Sequence, residues 1–302
     1  MVKKSIFSLL LGILLILGAC SDNMNEEDEV AEGEEANTEE TSTDQTEKEN
    51  EVEEEPPVTE NNEDNKIEDE ENIEEEAVQE ITEPLYKIDD NWNVVPLEDG
   101  TNEKVVLLTI DDAPEKYALE MAQTLKELEA PAIFFVNGHF LETDEKKEQL
   151  RQIHEMGFAI GNHTYHHQKL SDVDEETQKQ EIMELNDLIE EIIGDKPKFF
   201  RAPHGDNTDY AKSLIEEEGM LLMNWTYGYD YFEPYMDAEK LKEAMISGEA
   251  PEIDISYSLL KSGANLLMHD REWTAAALED IVKGLRDKGY EFVDPMTLQV
   301  PE

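Results

Sequence analysis

The chain has 302 residues, 24 Lys+Arg against 76 Asp+Glu, a formal net charge of -52 and one cysteine. That balance argues against a nucleic-acid binder, because affinity for phosphate backbones comes from clustered Lys and Arg, and equally against a protein held electrostatically on anionic lipid. One cysteine excludes an internal disulfide, Cys-rich zinc sites and iron–sulfur clusters.

In chain order, Lys3 and Lys4 precede an apolar run of 12 residues, Ile6 to Leu17. The run is too short for a comfortable membrane span and has the layout of an export signal. It ends in Leu17-Gly18-Ala19-Cys20, which resembles the lipobox of bacterial lipoproteins. That resemblance implies a signal peptide over 1–19 and a lipidated Cys20 anchoring the chain to the membrane, outside the cytoplasm. Residues 22–84 hold 29 Asp+Glu and only two basic residues, Lys48 and Lys66. Such a stretch buries too little apolar surface to offset chain entropy, so 20–84 reads as a disordered acidic tether. A cation-collecting tail is the other reading of this charge.

Beyond the tether, 85–102 (Tyr86, Ile88, Trp92, Val94, Val95) reads as a small cap or hairpin before the main domain, 103–302. Val105 to Ile110 is a continuous apolar run with β-branched residues, the pattern of a buried strand. Helical spacing follows over 115–128, then a strand at 132–136, a helix at 142–156 and a short strand at 158–161. Residues 173–193 form a long amphipathic helix, 198–201 a strand, 208–218 a helix and 220–225 a strand. An irregular stretch with one short helix near 238–246 leads to a strand at 264–268, a helix at 273–288 and a last strand at 290–293. This β-α alternation predicts an α/β fold with a parallel sheet, open or closed.

Polar residues gather where these strands end: Asp111-Asp112, His163 to His167, Arg201 to Gly205, Asp230, and His269-Asp270. Ligands of α/β folds bind at this edge. Spaced four apart, His163 and His167 are expected on one face of a helical turn. Two imidazoles and one carboxylate make a three-ligand site with open positions, suited to zinc or a similar divalent ion. Adjacent residues of an extended strand point opposite ways, so Asp111 and Asp112 are not both ordinary ligands of one ion. One can bind it while the other acts as a base on a bound water, and His269 can serve as a general acid.

Taken together, Thr109-Ile-Asp-Asp112, His163-Thr-x-x-His167, Arg201-x-Pro-x-Gly205, Asp230 and Leu267-x-His269 resemble the motifs of the NodB-homology polysaccharide deacetylases, carbohydrate esterase family 4. The resemblance covers about 103–300. It implies a distorted (β/α) barrel related to the TIM barrel and metal-dependent removal of N-acetyl groups from GlcNAc polymers. Position by position, it implies that Asp111 is the general base and that Asp112, His163 and His167 hold the metal. Zinc is the first candidate, with cobalt, manganese or nickel as alternatives. It further implies that Arg201 orients Asp111, the backbone N–H of His204 holds the oxyanion, Asp230 tunes the acid His269, and Leu267 walls an acetyl pocket. The fourth motif departs most from an Asp-x-x-Asp-Trp pattern: the sequence reads Trp225-Thr-Tyr-Gly-Tyr-Asp230-Tyr231, with Tyr231 in place of Trp. The expected substrate is peptidoglycan or a chitin-like polymer, and the expected state a monomer. An O-acetyl esterase and a non-catalytic carbohydrate- or metal-binding lipoprotein are the competing readings.

Overall fold

The computed structural model describes residues 83–301. The signal segment 1–19, Cys20 and nearly all of the tether 20–84 lie outside the described residues.

The pre-barrel segment is a hairpin of two antiparallel strands, β1 (Tyr86–Ile88) and β2 (Val94–Pro96). Its turn is held by Asp89, whose carboxylate accepts from the backbone N–H groups of Asn91 and Asn93 at 2.9 and 2.8 Å. Trp92 occupies the left-handed region (φ 65°) in this turn.

The main sheet has seven strands, all paired in parallel: β3 (Val105–Ala113), β4 (Ala132–Val136), β5 (Ala159–Asn162), β6 (Phe199–Phe200), β7 (Leu221–Leu222), β8 (Ala264–His269) and β9 (Glu291–Phe292). The order is β7-β6-β5-β4-β3-β8, with β9 against the start of β3. The sheet curls into a half-barrel, the distorted barrel anticipated from the sequence. The strand foreseen at 220–225 is regular only over β7, yet Tyr227 bridges in parallel to Leu266 of β8. The segment 221–227 therefore meets both ends of the sheet. Six helices connect the strands: α1 (Ala118–Glu127), α2 (Asp144–Glu155), α3 (Glu175–Ile193), α4 (Asp209–Glu217), α5 (Ala238–Ser247) and α6 (Glu272–Asp287). No helix of the described residues is long and apolar enough to cross a membrane.

All nine residues of β3 are buried, which explains its unbroken apolar run. Its alternate faces serve two cores. Val106, Leu108 and Ile110 pack outward against Met121, Leu125, Leu278 and Ile281 of α1 and α6. Val105 and Leu107 point inward with Ile133, Phe135, Phe199 and Met223, closed at the foot by Tyr86 and Val94 of the hairpin. The period of two places Thr109 and Asp111 on that inward face, further up the strand. A third cluster joins α3 and α4 through Ile182, Leu214 and Ile215.

Candidate active site

The inward face of β3 delivers Asp111 to the mouth of the half-barrel, where it is 2% exposed. Its Oδ1 accepts from Nη1 of Arg201 at 2.6 Å. Arg201 is fully buried after β6 and also donates to Thr109 Oγ1 (2.8 Å) and the carbonyl of Asn224 (2.9 Å). The Phe135 ring supports the guanidinium from 4.3 Å. Three acceptors and an aromatic face fix this fork, so Asp111 is held in one orientation.

Asp112 escapes the strand alternation. Register shifts between Ile110 and Ala113, and Asp112 adopts φ 63°, in the left-handed region. This bulge turns its carboxylate toward the mouth as well. Extended geometry predicts opposite directions for the two aspartates; the bulge is the physical reason both reach one site.

His163 follows β5, and its Nδ1 lies 2.7 Å from the carbonyl of Arg201. A carbonyl only accepts, so Nδ1 carries a proton, which leaves Nε2 as the ring atom for a ligand. The helical turn expected over 163–167 does not form. Thr164 (φ 66°) and His167 (φ 56°) are both left-handed, which folds the chain into a tight irregular turn instead. Side chains hold that turn: Asn162 Oδ1 accepts from Thr164 N at 2.8 Å, and the buried Glu181 accepts from His166 N at 2.7 Å. His166 is half-exposed and pairs with Glu181, away from the ligand group. The rings of His163 and His167 meet edge to face at 4.9 Å.

One donor atom each from Asp112, His163 and His167 lies within 4.8 Å of the others, a group able to hold a metal ion. Asp112 Oδ1 is 3.9 Å from His163 Nε2 and 3.5 Å from His167 Nε2. Burial and the neighbouring His163 push His167 down to about 4, so it is a neutral imidazole at neutral pH. Burial raises Asp112, but cationic histidine near it and the Arg271 guanidinium outweigh it, and its carboxyl sits below the usual range. A neutral His167, an Nδ1-protonated His163 and an ionised Asp112 are forms that suit a divalent ion.

The remaining residues come from β8 and the segment before it. His269 pairs with Asp111 in strand register. Its Nδ1 is 2.8 Å from Oδ1 of the fully buried Asp230, whose Oδ2 accepts from the His269 backbone N–H at 2.6 Å and from Thr274 Oγ1 at 2.8 Å. Burial opposes charge on this imidazole, but Asp230, with Asp111 and Asp112 beyond it, reverses the balance and pushes it up to about 9. The altered fourth motif thus still brings Asp230 to His269. Tyr231 is 43% exposed, with its ring 5.6 Å from that of His269. Leu267 is buried in β8 opposite Thr109. His204 is left-handed (φ 59°) and exposed, with its ring 5.0 Å from His167. Tyr229 and Tyr235 belong to the core, their hydroxyls bonded to the Gly248 carbonyl and to Glu252. Trp273 donates its indole N–H to the carbonyl of Asp230 at 2.8 Å.

The two residues after His269 support the site in ways their spacing does not foretell: Asp270 stands at the strand end as expected, but as a cap, and Arg271 is a contact no motif marks. Asp270 accepts from the backbone N–H groups of Lys116 (2.9 Å) and Tyr117 (2.5 Å), capping α1 from another strand. Arg271 donates to Asp112 Oδ2 at 2.6 Å and to Glu115. Adjacency to His269 was the one signal available for either.

Residues 98–223 match the polysaccharide deacetylase family model. The matched residues include Asp111, Asp112, His163, His167 and Arg201; Asp230 and His269 lie beyond them. A peptidoglycan-N-acetylglucosamine deacetylase of Bacillus cereus is 29% identical over 238 residues, covering 71% of this chain and 83% of that protein. The structure of the peptidoglycan deacetylase PdaC from Bacillus subtilis matches with a TM-score of 0.55 and 26% identity, over 65% of this chain and 90% of that one. A carbohydrate esterase family 4 pseudoenzyme from Bacillus anthracis matches equally well, with a TM-score of 0.55 and 24% identity over 63% of each chain. That last likeness shows the fold alone, so activity has to be argued from the side chains.

Proposed function

We propose that the protein is a metal-dependent hydrolase that removes N-acetyl groups from a GlcNAc-containing polysaccharide, with peptidoglycan the first candidate. The observation that carries this reading is the meeting of two functions at one mouth. A group of two imidazoles and a carboxylate lies within 4.8 Å, and a second, Arg-held carboxylate, Asp111, lies 3.5 Å from His163 Nε2. A protein that only stored metal would have no use for Asp111 held in this way, nor for the His269–Asp230 pair opposite.

Asp112, His163 and His167 would hold the ion, with zinc the first candidate and cobalt, manganese or nickel as alternatives. When bound, it would supply Lewis-acid polarisation of water and of the acetyl carbonyl. Asp111 takes the proton from the attacking water, and Arg201 keeps that carboxylate aimed. As the C–O bond forms, negative charge grows on the carbonyl oxygen, and the backbone N–H of His204 is the preorganised donor for it. His269 donates a hydrogen bond from Nδ1–H to Asp230 and gives its Nε2 proton to the departing nitrogen. The C–N bond then breaks to free amine and acetate. Leu267 and Tyr231 wall the space for the acetyl methyl.

The placement belongs to the same proposal. A signal peptide over 1–19 and a lipid on Cys20 would fix the chain to the outer face of a bacterial membrane, with 20–84 linking that anchor to the domain that meets the polymer.

The test is acetate release from peptidoglycan, a chitin oligomer and acetylated xylan, each with and without chelator. Release from the first two, lost with chelator, is expected. Release from xylan alone would indicate an O-acetyl esterase. Asp111→Asn is expected to keep metal binding while acetate release falls by roughly 10²–10⁴-fold. Undiminished release in that variant would remove Asp111 from the reaction.

A further inference from the structure

The two oxygens of Asp112 have different partners. Oδ1 faces the Nε2 atoms of His163 and His167, whereas Oδ2 accepts from Nη2 of Arg271 at 2.6 Å. Arg271 is fixed on its other arm: Nη1 donates to the carboxylate of Glu115 and to the backbone carbonyl of Asp270 at 3.0 Å. Glu115 is tied back in turn, its backbone N–H donating to the carbonyl of Asp112 at 3.2 Å. The Arg271 side chain is 33% exposed, so this fork sits at the rim of the mouth rather than in its floor.

A carboxylate can engage a divalent ion through one oxygen or through both. Which occurs decides how many positions on the ion remain for water and substrate, and a catalytic site needs them open. We infer that Arg271 is a positioning residue that occupies Oδ2 and so restricts Asp112 to binding metal through Oδ1 alone. This rests on the reading of Asp112, His163 and His167 as metal ligands. Arginine suits the task because its planar fork spans two carboxylates at once and stays charged. Lysine offers one ammonium, which can reach Oδ2 without also gripping Glu115. Arg271 touches no reacting atom; its effect passes through Asp112.

The experiment compares cobalt(II) binding and the cobalt d–d spectrum of the wild type, Arg271→Met, Arg271→Lys and Glu115→Gln, alongside kcat for acetate release. Arg271→Met is expected to retain cobalt affinity, to show weaker d–d absorption as Asp112 engages both oxygens, and to lose roughly 10–100-fold in kcat. Arg271→Lys should restore the wild-type spectrum and part of the rate. Glu115→Gln loosens Arg271 while leaving the Asp112 side chain and its backbone hydrogen bond unchanged, and should shift the spectrum in the same direction by less. It keeps the inference testable if Arg271→Met fails to fold. A wild-type spectrum and rate in Arg271→Met would overturn the inference. So would outright loss of cobalt affinity in a folded Arg271→Met, which would make Arg271 a builder of the site rather than the setter of its binding mode. A wild type that binds no cobalt would instead overturn the underlying metal reading.

Discussion

His269 and Asp230 form the pair in which a single proton has the largest consequence. The imidazole pKa is pushed from its ordinary value near 6.5 up to about 9 by Asp230, with Asp111 and Asp112 beyond it. It therefore stays protonated through neutral pH, the form a general acid needs, and loses that proton as pH rises through the raised value. A divalent ion at the mouth repels this cation and lowers its pKa again. The alkaline limb of kcat is thus expected at or below about 9. Asp230→Asn removes the main cause of the rise and leaves burial, which acts downward. Its alkaline limb is expected to move toward acid by on the order of one pH unit or more. The stability contribution has the same sign: it is fully present below about pH 6.5 and is lost as pH rises through about 9. A pH profile of Asp230→Asn that overlays the wild type would detach Asp230 from the acid. The altered fourth motif keeps this pair intact. The loss of the expected first Asp and of Trp leaves Asp230 fully buried and bonded to His269 both by side chain and by backbone.

Among the elements, β5 shows how little space the site's supports leave. Gly161 lies in β5 with its Cα facing the Phe135 ring, and an added Cβ would sit 2.5 Å from that ring. Phe135 carries the Arg201 guanidinium at 4.3 Å, and Arg201 carries Asp111. Gly161→Ala is therefore expected to overpack the inner core at a cost of about 1–3 kcal/mol. Thermal melting should fall by roughly 2–4 °C per kcal/mol for a domain of this size. Because Phe135 must yield, kcat should fall as well, with metal affinity nearly unchanged. A variant with unaltered melting temperature and rate would show that the ring has room. The same elements mark what was legible in the sequence. The apolar run of β3 and the β-α alternation follow from burial and period, so the strand ends bearing Asp111, His163, Arg201 and His269 could be anticipated. The route by which residues converge could not. The left-handed turns at Asp112, Thr164 and His167 depend on tertiary anchors such as Glu181, far along the chain on α3. Local spacing therefore suggested a helical turn where an irregular one forms. Arg271 was invisible for a related reason: a surface-typed residue at a helix start takes its meaning only from the carboxylates that other loops bring to it.

At the scale of the whole molecule, charge and the site act on the same observable and can be separated. Residues 85–302 carry 47 acidic and 20 basic side chains, so the domain repels itself. Monovalent salt shortens the Debye length from about 10 Å at 0.1 M to about 3 Å at 1 M. With chelator present, the melting temperature is accordingly expected to climb smoothly with NaCl. A divalent ion held by Asp112, His163 and His167, as proposed, would add something different in kind: it would bind the folded state at one place, so its effect would saturate. At a free zinc concentration about 100 times the dissociation constant the gain is about 2.7 kcal/mol, or roughly 5–11 °C by the conversion above. Asp112→Asn should abolish this zinc step and leave the NaCl slope intact, because one charge among 67 hardly alters the field while one ligand among three dismantles the site. If zinc instead raised the melting temperature of wild type and variant alike, the ion would be acting through the acidic surface, and the Asp112, His163 and His167 group would not be the place where it binds.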